Sequence, residues 1–445
     1  MFVNLAWKAF QYFALFFGAA DETYYKYTKF SGIRGPVNCL SFSPGGELLA
    51  SGGDDEIVRI WEITTKKCLH ILEDPGKRWG QITCLAWLSN LGTDDLKPIA
   101  FGTGRGLIVI YRRSRVDAGM VELASNRVFE ASDPVESMAF NAKKSYLAIT
   151  SHHGRIALFD IARNGTMMEL WSVKADSDKK VCIPRSIQFY EGGKKVLIFI
   201  LETGEMVCCD VETAREDWQK LLKSGIGYAS LDSSGKLLLV DNLSRGFDLY
   251  NLPRSSPSYT FAVPTKKKCV KDGAFAEQAS AIVCSSDHGK VYVFSMASSS
   301  PIQVLKSASK HVEVQAIDTT STPESHFIAS GSSAAMPEIV IWEKQIKKTS
   351  SRVDNESNIG RVINLLNLLV ILLLLHWTSR YWVPIASQAV NRAMEIMNNV
   401  QVPVAEVSTN KPHFTEWTVE IPIQVADEED EEDEIEWREL QLDRL

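Results

Sequence analysis

The pair His152 and His153 is the one place in the sequence that suggests a metal or acid–base site, and Asp287-His288 resembles it as a turn. His152 and His153 are adjacent, and His288 follows Asp287 directly. Neighbouring side chains in a strand or turn point apart, so an adjacent pair is poorly arranged to hold one ion. We interpret both places as turns, and we predict no catalytic residue, no metal site and no cofactor-binding residue.

Other signatures of chemistry are weak or absent. Gly102-x-Gly104-x-Gly106 leads into a strand and not into a helix, so it lacks the helix N-terminus that cradles phosphate. No GxSxG elbow and no HExxH pair occurs in the sequence. The eight cysteines include no CxxC pair, which predicts buried free thiols and not a zinc site or disulfide framework. We therefore expect a protein that is not an enzyme and takes no cofactor.

The stretch 37–63 indicates which elements must position any binding residues. It alternates apolar and polar side chains in three short runs, which are separated by Pro44-Gly45-Gly46 and by Asp54-Asp55. This pattern is typical of consecutive antiparallel strands joined by tight turns. Three strands cannot bury both of their faces alone, so the unit must be repeated or covered.

The unit is repeated, and it resembles the WD-repeat family. The residues that carry the resemblance are Phe42-Ser43-Pro44, Leu49 to Gly53, Asp54-Asp55 and Trp61-Glu62. Similar units occupy 37–63, 81–113, 134–162, 183–213, 226–253, 269–297 and 312–344. The resemblance, which extends to fungal WD-repeat-like proteins of uncharacterised function, implies an all-β fold, a seven-bladed β-propeller used mainly for binding.

The first six units are each followed by a fourth strand, and the seventh unit is not. The strand-like stretch 23–30 precedes the first unit. In the family an N-terminal strand often completes the last blade, which removes unpaired backbone groups from the sheet edge. We therefore predict a propeller over 21–344 that is closed by its N-terminal strand.

The binding surface implied by the family is the rim that carries the turns between second and third strands and the loops entering each first strand. Trp and Arg are favoured there because they dominate binding energy at protein interfaces. The candidate protein-binding residues on this rim are Arg34, Asp54, Asp55, Trp79, Arg105, Asp133, His152, His153, Arg185, Glu202, Asp287 and His288.

Charge is distributed unevenly along the chain. The net charge is -7, but residues from 380 onward carry 15 acidic and 5 basic side chains, which leaves +3 for the remainder. Nucleic-acid binding requires clustered Lys and Arg, and the sequence of the main body shows no strong basic stripe. We expect protein partners, no nucleic acid and no small-molecule substrate.

The C-terminal part predicts a membrane anchor. After a polar linker at 345–361, the stretch 362–379 is long and apolar enough for a single transmembrane helix. An amphipathic helix is predicted at 380–400. A disordered tail follows at 401–445, where 427–434 is an unbroken acidic run. Lys and Arg before the span outnumber those after it, which predicts a propeller facing the cytosol at an internal membrane such as the endoplasmic reticulum.

The apolar segment 1–20 leaves a second topology open, because it is also compatible with a signal peptide. A cleaved signal peptide would place the propeller in the lumen, where the sequons at Asn164, Asn242 and Asn355 could carry glycans.

We predict a membrane-anchored protein-interaction scaffold without catalytic activity. One alternative is a guanine-nucleotide exchange factor, since the architecture is similar to the membrane-anchored propellers that activate the small GTPase of the COPII vesicle coat. Their activity depends on an elaborated loop in the first blade, and the corresponding turn here is only Ser43-Pro44-Gly45-Gly46. The other alternative is the lumenal propeller.

Overall fold

The computed structural model describes residues 23–346, except 92–97, 115, 117, 118, 175–181 and 299, and also the residues 388, 390–392, 394 and 395. Within 23–346 the described chain forms seven antiparallel sheets of four strands each. The predicted all-β seven-bladed propeller is confirmed.

The strands follow one another with short connections, and each sheet is a blade. The opening strand is β1 (Tyr25–Phe30). Blade 1 contains β2 (Val37–Phe42), β3 (Leu48–Gly53), β4 (Ile57–Glu62) and β5 (Lys67–Glu73). Blade 2 contains β6 (Ile82–Trp87), β7 (Ile99–Thr103), β8 (Leu107–Arg113) and β9 (Met120–Arg127). Blade 3 contains β10 (Val135–Asn141), β11 (Tyr146–Ser151), β12 (Arg155–Ile161) and β13 (Met167–Lys174). Blade 4 contains β14 (Pro184–Tyr190), β15 (Lys195–Ile200), β16 (Glu205–Asp210) and β17 (Glu216–Leu221). Blade 5 contains β18 (Ala229–Leu231), β19 (Leu237–Asp241), β20 (Gly246–Asn251) and β21 (Tyr259–Ala262). Blade 6 contains β22 (Gly273–Ala276), β23 (Ala281–Cys284), β24 (Lys290–Ser295) and β25 (Pro301–Lys306). Blade 7 contains β26 (Val314–Ser321), β27 (Ser325–Ser332) and β28 (Ile339–Gln345), and its fourth strand is β1.

The ring is closed by the first strand of the described residues, as predicted. β1 pairs antiparallel with β28, with Phe30 opposite Ile339. The Phe30 ring also stacks on Trp61 of blade 1, with 4.6 Å between the ring centroids and 12° between their planes. One strand therefore joins the last blade to the first.

The hydrophobic core lies between the blades. The buried apolar residues form seven clusters, and each cluster combines side chains of two adjacent blades. Middle strands such as β3 and β7 are almost wholly buried because a blade is covered on both faces. A single blade has no core of its own, so the repeats stabilise one another only as a ring.

Side chains of the inner strands also connect neighbouring blades. The Asp318 carboxylate in blade 7 accepts a hydrogen bond of 2.6 Å from the backbone N–H of Phe42 in blade 1. Asp272, at the start of blade 6, accepts one of 2.8 Å from Ile317 in blade 7. These bonds satisfy inner-strand amides that have no strand on the channel side.

The C-terminal predictions fall mostly outside the described residues. The predicted linker, transmembrane helix and acidic tail lie there entirely, as does the apolar segment 1–20. Six residues within the predicted amphipathic helix at 380–400 are described, and they are helical. A bilayer span needs about 20 apolar residues in a helix, and no helix among the described residues has that length and composition.

Candidate functional site

The rim defined above is built by tight turns at one end of every blade. Seven of the twelve predicted residues lie wholly or partly at its surface, namely Arg34, Asp54, Arg105, His152, His153, Arg185 and Glu202. The other five have side chains that are buried or nearly so, namely Asp55, Trp79, Asp133, Asp287 and His288. The rim is therefore made of exposed charges and of buried residues that hold the turns.

Two of the predicted residues are brought together by one that sequence reasoning missed. Glu136 on β10 has one carboxylate oxygen 2.5 Å from His152 Nδ1 and the other 2.6 Å from Arg185 Nη1. The Glu136 side chain is only 11% exposed, whereas His152 and Arg185 are 43% and 37% exposed. Glu136 thus fixes an imidazole of blade 3 and a guanidinium of blade 4 at the mouth of the ring.

The second histidine of the pair has a different partner. The backbone N–H of His153 donates a hydrogen bond of 2.8 Å to the buried carboxylate of Asp133, and His153 Nδ1 lies 3.3 Å from the same oxygen. His152 and His153 therefore hold separate carboxylates, consistent with turn residues. No group of three or more potential metal ligands occurs among the described residues.

In blade 1 the aspartates of the turn have separate roles. Asp55 forms a nearly buried ion pair of 2.7 Å with Arg59 and also accepts a backbone hydrogen bond from Arg34 at 3.4 Å. Asp54 is exposed and accepts a hydrogen bond of 2.8 Å from the Asn38 side chain. Asp55 thus stabilises the turn, while Asp54 and the Arg34 side chain face solvent.

The structure places Trp79 in the core and its neighbour at the surface. The Trp79 side chain is fully buried and packs edge-on against Phe101, with 4.9 Å between centroids. Arg78 is 59% exposed and is held by Asp74, whose pKa its hydrogen bonds lower to about 2. The exposed side chain of this loop is therefore Arg78, which the sequence analysis did not single out.

Two further predicted residues lie in turns of other blades. Arg105 Nη1 donates a hydrogen bond of 2.8 Å to the Lys77 carbonyl, which orients its guanidinium beside the Trp79 loop. Glu202, in the turn between β15 and β16 of blade 4, lies 3.3 Å from Nζ of Lys268 in the loop that enters blade 6, and both side chains are exposed.

In blade 6 the turn is stabilised by a buried relay of hydrogen bonds. His288 Nδ1 lies 2.8 Å from Asp287 Oδ1, and His288 Nε2 lies 2.8 Å from the Tyr292 hydroxyl. Burial raises the pKa of Asp287, but hydrogen bonds from His288, Lys266 and Lys267 outweigh burial and lower it overall. Asp287 and His288 thus hold the loop that enters blade 6.

Inside the rim, the innermost strands enclose a channel of about 410 Å³. One residue per blade forms a polar ring at its mouth, and the ring consists of Asn38, Thr83, Glu136, Arg185, Tyr228, Asp272 and Gln315. In five blades this residue has no partner in the pairing between the first and second strands. In blade 1, for example, the register shifts between Val37 and Cys39, which leaves Asn38 unpaired. A β-bulge re-aims the extra side chain, so it faces the channel and not a neighbouring blade.

The channel wall carries carboxyl groups whose ionisation is suppressed. Burial raises the pKa of Asp272 to about 6 and that of Asp318 to about 7. The neighbouring charge of Asp272, together with burial, also raises the pKa of Tyr228. The cation Arg185 lies on the same wall, where it is paired with the Glu136 carboxylate.

Comparison with known proteins identifies one repeat directly. The family model described as WD domain, G-beta repeat, matches residues 25–62. The U3 small nucleolar RNA-associated protein 18 homolog of Arabidopsis thaliana is 32% identical over 119 residues, which are 27% of this chain and 20% of that protein. The ribosome biogenesis protein BOP1 homolog is 39% identical over 74 residues in Drosophila virilis and 33% over 108 residues in Drosophila ananassae. These matches cover 17% and 24% of this chain, and 9% and 13% of the relatives. The matched part thus spans a fifth or less of each relative.

The predicted localisation is wrong. A single-pass protein of an internal membrane was expected, whereas the relatives are named for ribosome biogenesis and for a small nucleolar RNA. The described residues also contain no helix that could cross a bilayer, and 362–379, which suggested one, lies outside them. An apolar run in a sequence does not by itself distinguish a membrane span from other uses of an apolar helix.

The matched repeat at 25–62 supplies the closing strand and the first three strands of blade 1, and the other six blades repeat its four-stranded build. The chain thus carries a repeat of the WD-domain family and folds as a seven-bladed β-propeller, the architecture of WD-repeat proteins.

Proposed function

We propose that this protein is a non-catalytic interaction scaffold in ribosome biogenesis, and that it docks a partner protein on its rim and channel mouth. The observation that carries the proposal is the arrangement of His152, Glu136 and Arg185, in which exposed groups of two blades are fixed by one nearly buried carboxylate. Groups that are already ordered lose little entropy when a partner binds. A rigid ring that presents such groups is suited to docking a protein surface.

The process is proposed from the names of the relatives. Proteins named for ribosome biogenesis and for the U3 small nucleolar RNA share sequence with parts of this chain. We propose Arg34, Asp54, Arg105, His152, His153, Arg185 and Glu202 as the contact residues, with Arg78 added. The exchange-factor alternative gains no support, since the β2–β3 turn is closed by a hydrogen bond of 2.8 Å from Gly46 N–H to the Ser43 carbonyl.

The test compares variants of the full-length protein in cells. Arg34→Glu combined with Arg105→Glu reverses two rim charges, and Lys67→Glu combined with Lys174→Glu reverses two exposed charges on outer strands. Tagged proteins are crosslinked, purified and identified, and their sedimentation with pre-ribosomal particles is measured.

We expect the wild type and the outer-strand variant to recover ribosome-assembly proteins and to sediment with the particles, and the rim variant to do neither. Equal melting temperatures would show that both variants fold. Recovery of the same proteins by the rim variant would refute the proposed rim. Absence of assembly proteins from the wild-type sample would refute the proposed process.

A further inference from the structure

A second surface lies between blades 6 and 7. A groove of about 1010 Å³ has one wall from β24, β25 and the loop after β25, and another from β1 and the β27–β28 turn. The lysines that line it are Lys26, Lys29, Lys290, Lys306 and Lys310. A single carboxylate, Glu338, lies among the described lining residues.

The closing strand contributes two of these lysines because its ladder is irregular. β1 and β28 change register between Lys26 and Thr28. In a regular strand Lys26 and Lys29 would point to opposite faces, since alternate residues share a face. The irregularity lets both line the groove, while Lys306 and Val304 share a face of β25 by ordinary alternation.

Most of the positive charge of the groove is unpaired. Lys29 is paired with Glu338, and Lys26 Nζ lies 5.3 Å from the centroid of the Trp342 ring. Lys290, Lys306 and Lys310 are exposed, and no ion pair connects them to an acid in the described part of the chain. Three adjacent cations without counter-charges favour an anionic ligand.

The remaining lining residues distinguish between anionic ligands. Val304 and Met336 line the groove and are 45% and 72% exposed. The described lining contains no Phe, Tyr, Trp or Arg side chain on which a base could stack, and its one aromatic ring, that of His288, is buried. Exposed aliphatic side chains beside lysines instead suit a peptide that offers both carboxylates and apolar side chains.

We propose that this lysine groove binds an acidic peptide segment of a partner protein, in which glutamate or aspartate alternates with apolar residues. The carboxylates contact Lys290, Lys306 and Lys310, and the apolar side chains contact Val304 and Met336. The inference rests on the proposed scaffold function and names the chemistry of one partner segment.

The test is fluorescence anisotropy with the full-length protein. The probe is a fluorescein-labelled peptide of twelve residues containing Glu, Leu and Ser, and the matched probes carry Gln in place of Glu or Ser in place of Leu. A labelled uridine oligonucleotide of twelve residues is the nucleic-acid probe. Each is titrated at low and at physiological salt.

We expect the Glu/Leu peptide to bind at least tenfold more tightly than the Gln peptide, with weaker binding at the higher salt. Charge reversal by K290E, K306E and K310E together should weaken binding at least tenfold. The same number of reversals at exposed lysines elsewhere, K143E, K174E and K223E, should change it less than twofold. Met336→Ser should reduce the preference for the Leu probe over the Ser probe.

Other results would overturn the inference. Tighter binding of the oligonucleotide with the same dependence on the three lysines would make the groove a nucleic-acid site. If the groove variant and the control variant lose peptide affinity equally, the peptide binds through the overall charge of the protein and not through the groove. If the groove variant still captures the assembly partners and no peptide binds, the groove inference fails while the scaffold function stands.

Discussion

Replacement of Lys271 by methionine tests how the loop that enters blade 6 is held in place. Lys271 and Asp241 are both 0% exposed, and the Lys271 ammonium lies 3.0 Å from Asp241 Oδ1. The backbone N–H of Lys271 also donates a hydrogen bond of 2.8 Å to Asp241 Oδ2. Since Asp241 ends β19 and Lys271 precedes β22, the pair connects blades 5 and 6 beneath the rim.

The expected loss of folding stability follows from the Asp241 carboxylate that the substitution leaves behind. Burial raises the pKa of Asp241, and the ammonium of Lys271 opposes this effect. Methionine fills the space but leaves the carboxylate buried without a counter-charge. Loss of one partner of a buried ion pair costs about 3–5 kcal/mol. For a propeller that spans 23–346, an unfolding entropy of about 2 cal/mol/K per residue converts about 4 kcal/mol into a fall in Tm of about 6 °C.

The assay is thermal and urea unfolding of full-length variants, with Asp241→Asn added to Lys271→Met as the matched double variant. The neutral amide keeps one backbone hydrogen bond and removes the unpaired charge. We therefore expect the double variant to recover about 2 kcal/mol relative to Lys271→Met. The reasoning is refuted if Lys271→Met costs less than about 1 kcal/mol, or if the double variant is no more stable than the single one.

Three further predictions concern ring closure, a steric constraint and pH. Phe30→Ala removes the ring stacked on Trp61. This substitution should lower the free energy of unfolding by about 3–5 kcal/mol and increase amide hydrogen exchange in β28. Unchanged exchange in β28 would contradict closure by β1. Gly227→Ala should lower Tm, because its Cβ would lie 2.2 Å from an Asp241 carboxylate oxygen, and an unchanged Tm would show that this carboxylate can move. Burial raises the pKa of Asp318 to about 7. The folded state therefore binds a proton more tightly than the unfolded state, and the free energy of unfolding should fall as pH rises from about 4 to about 7. Asp318→Asn should flatten this dependence in melting curves between pH 5 and 8, and equal slopes would assign the dependence to other groups.

The sequence alone was sufficient to predict the blades and their closure. Period-two alternation, turn residues and a spacing that repeats seven times are local properties, and each strand needs only its neighbours in sequence to be recognised. The missing fourth strand of the last unit identified 23–30 as the closing strand for the same reason. The membrane location, inferred from an apolar run and from the excess of Lys and Arg before it, was wrong.

Only the tertiary structure determines which rim residues are exposed to a binding partner. Alternation predicts that Asn38 and Glu136 lie on a blade face, but a bulge turns each of them into the channel. Trp79 was favoured for its residue type, yet packing against Phe101 buries it and leaves Arg78 exposed.

The pairs that define these surfaces join residues of different blades. Glu136 meets Arg185 across blades 3 and 4, and Lys26 shares a groove with Lys306 because β1 closes the last blade. Local pattern specifies each strand because its turns and alternation are encoded within a few residues. Contacts between blades depend on how those strands pack around the ring, so only the folded structure determines them.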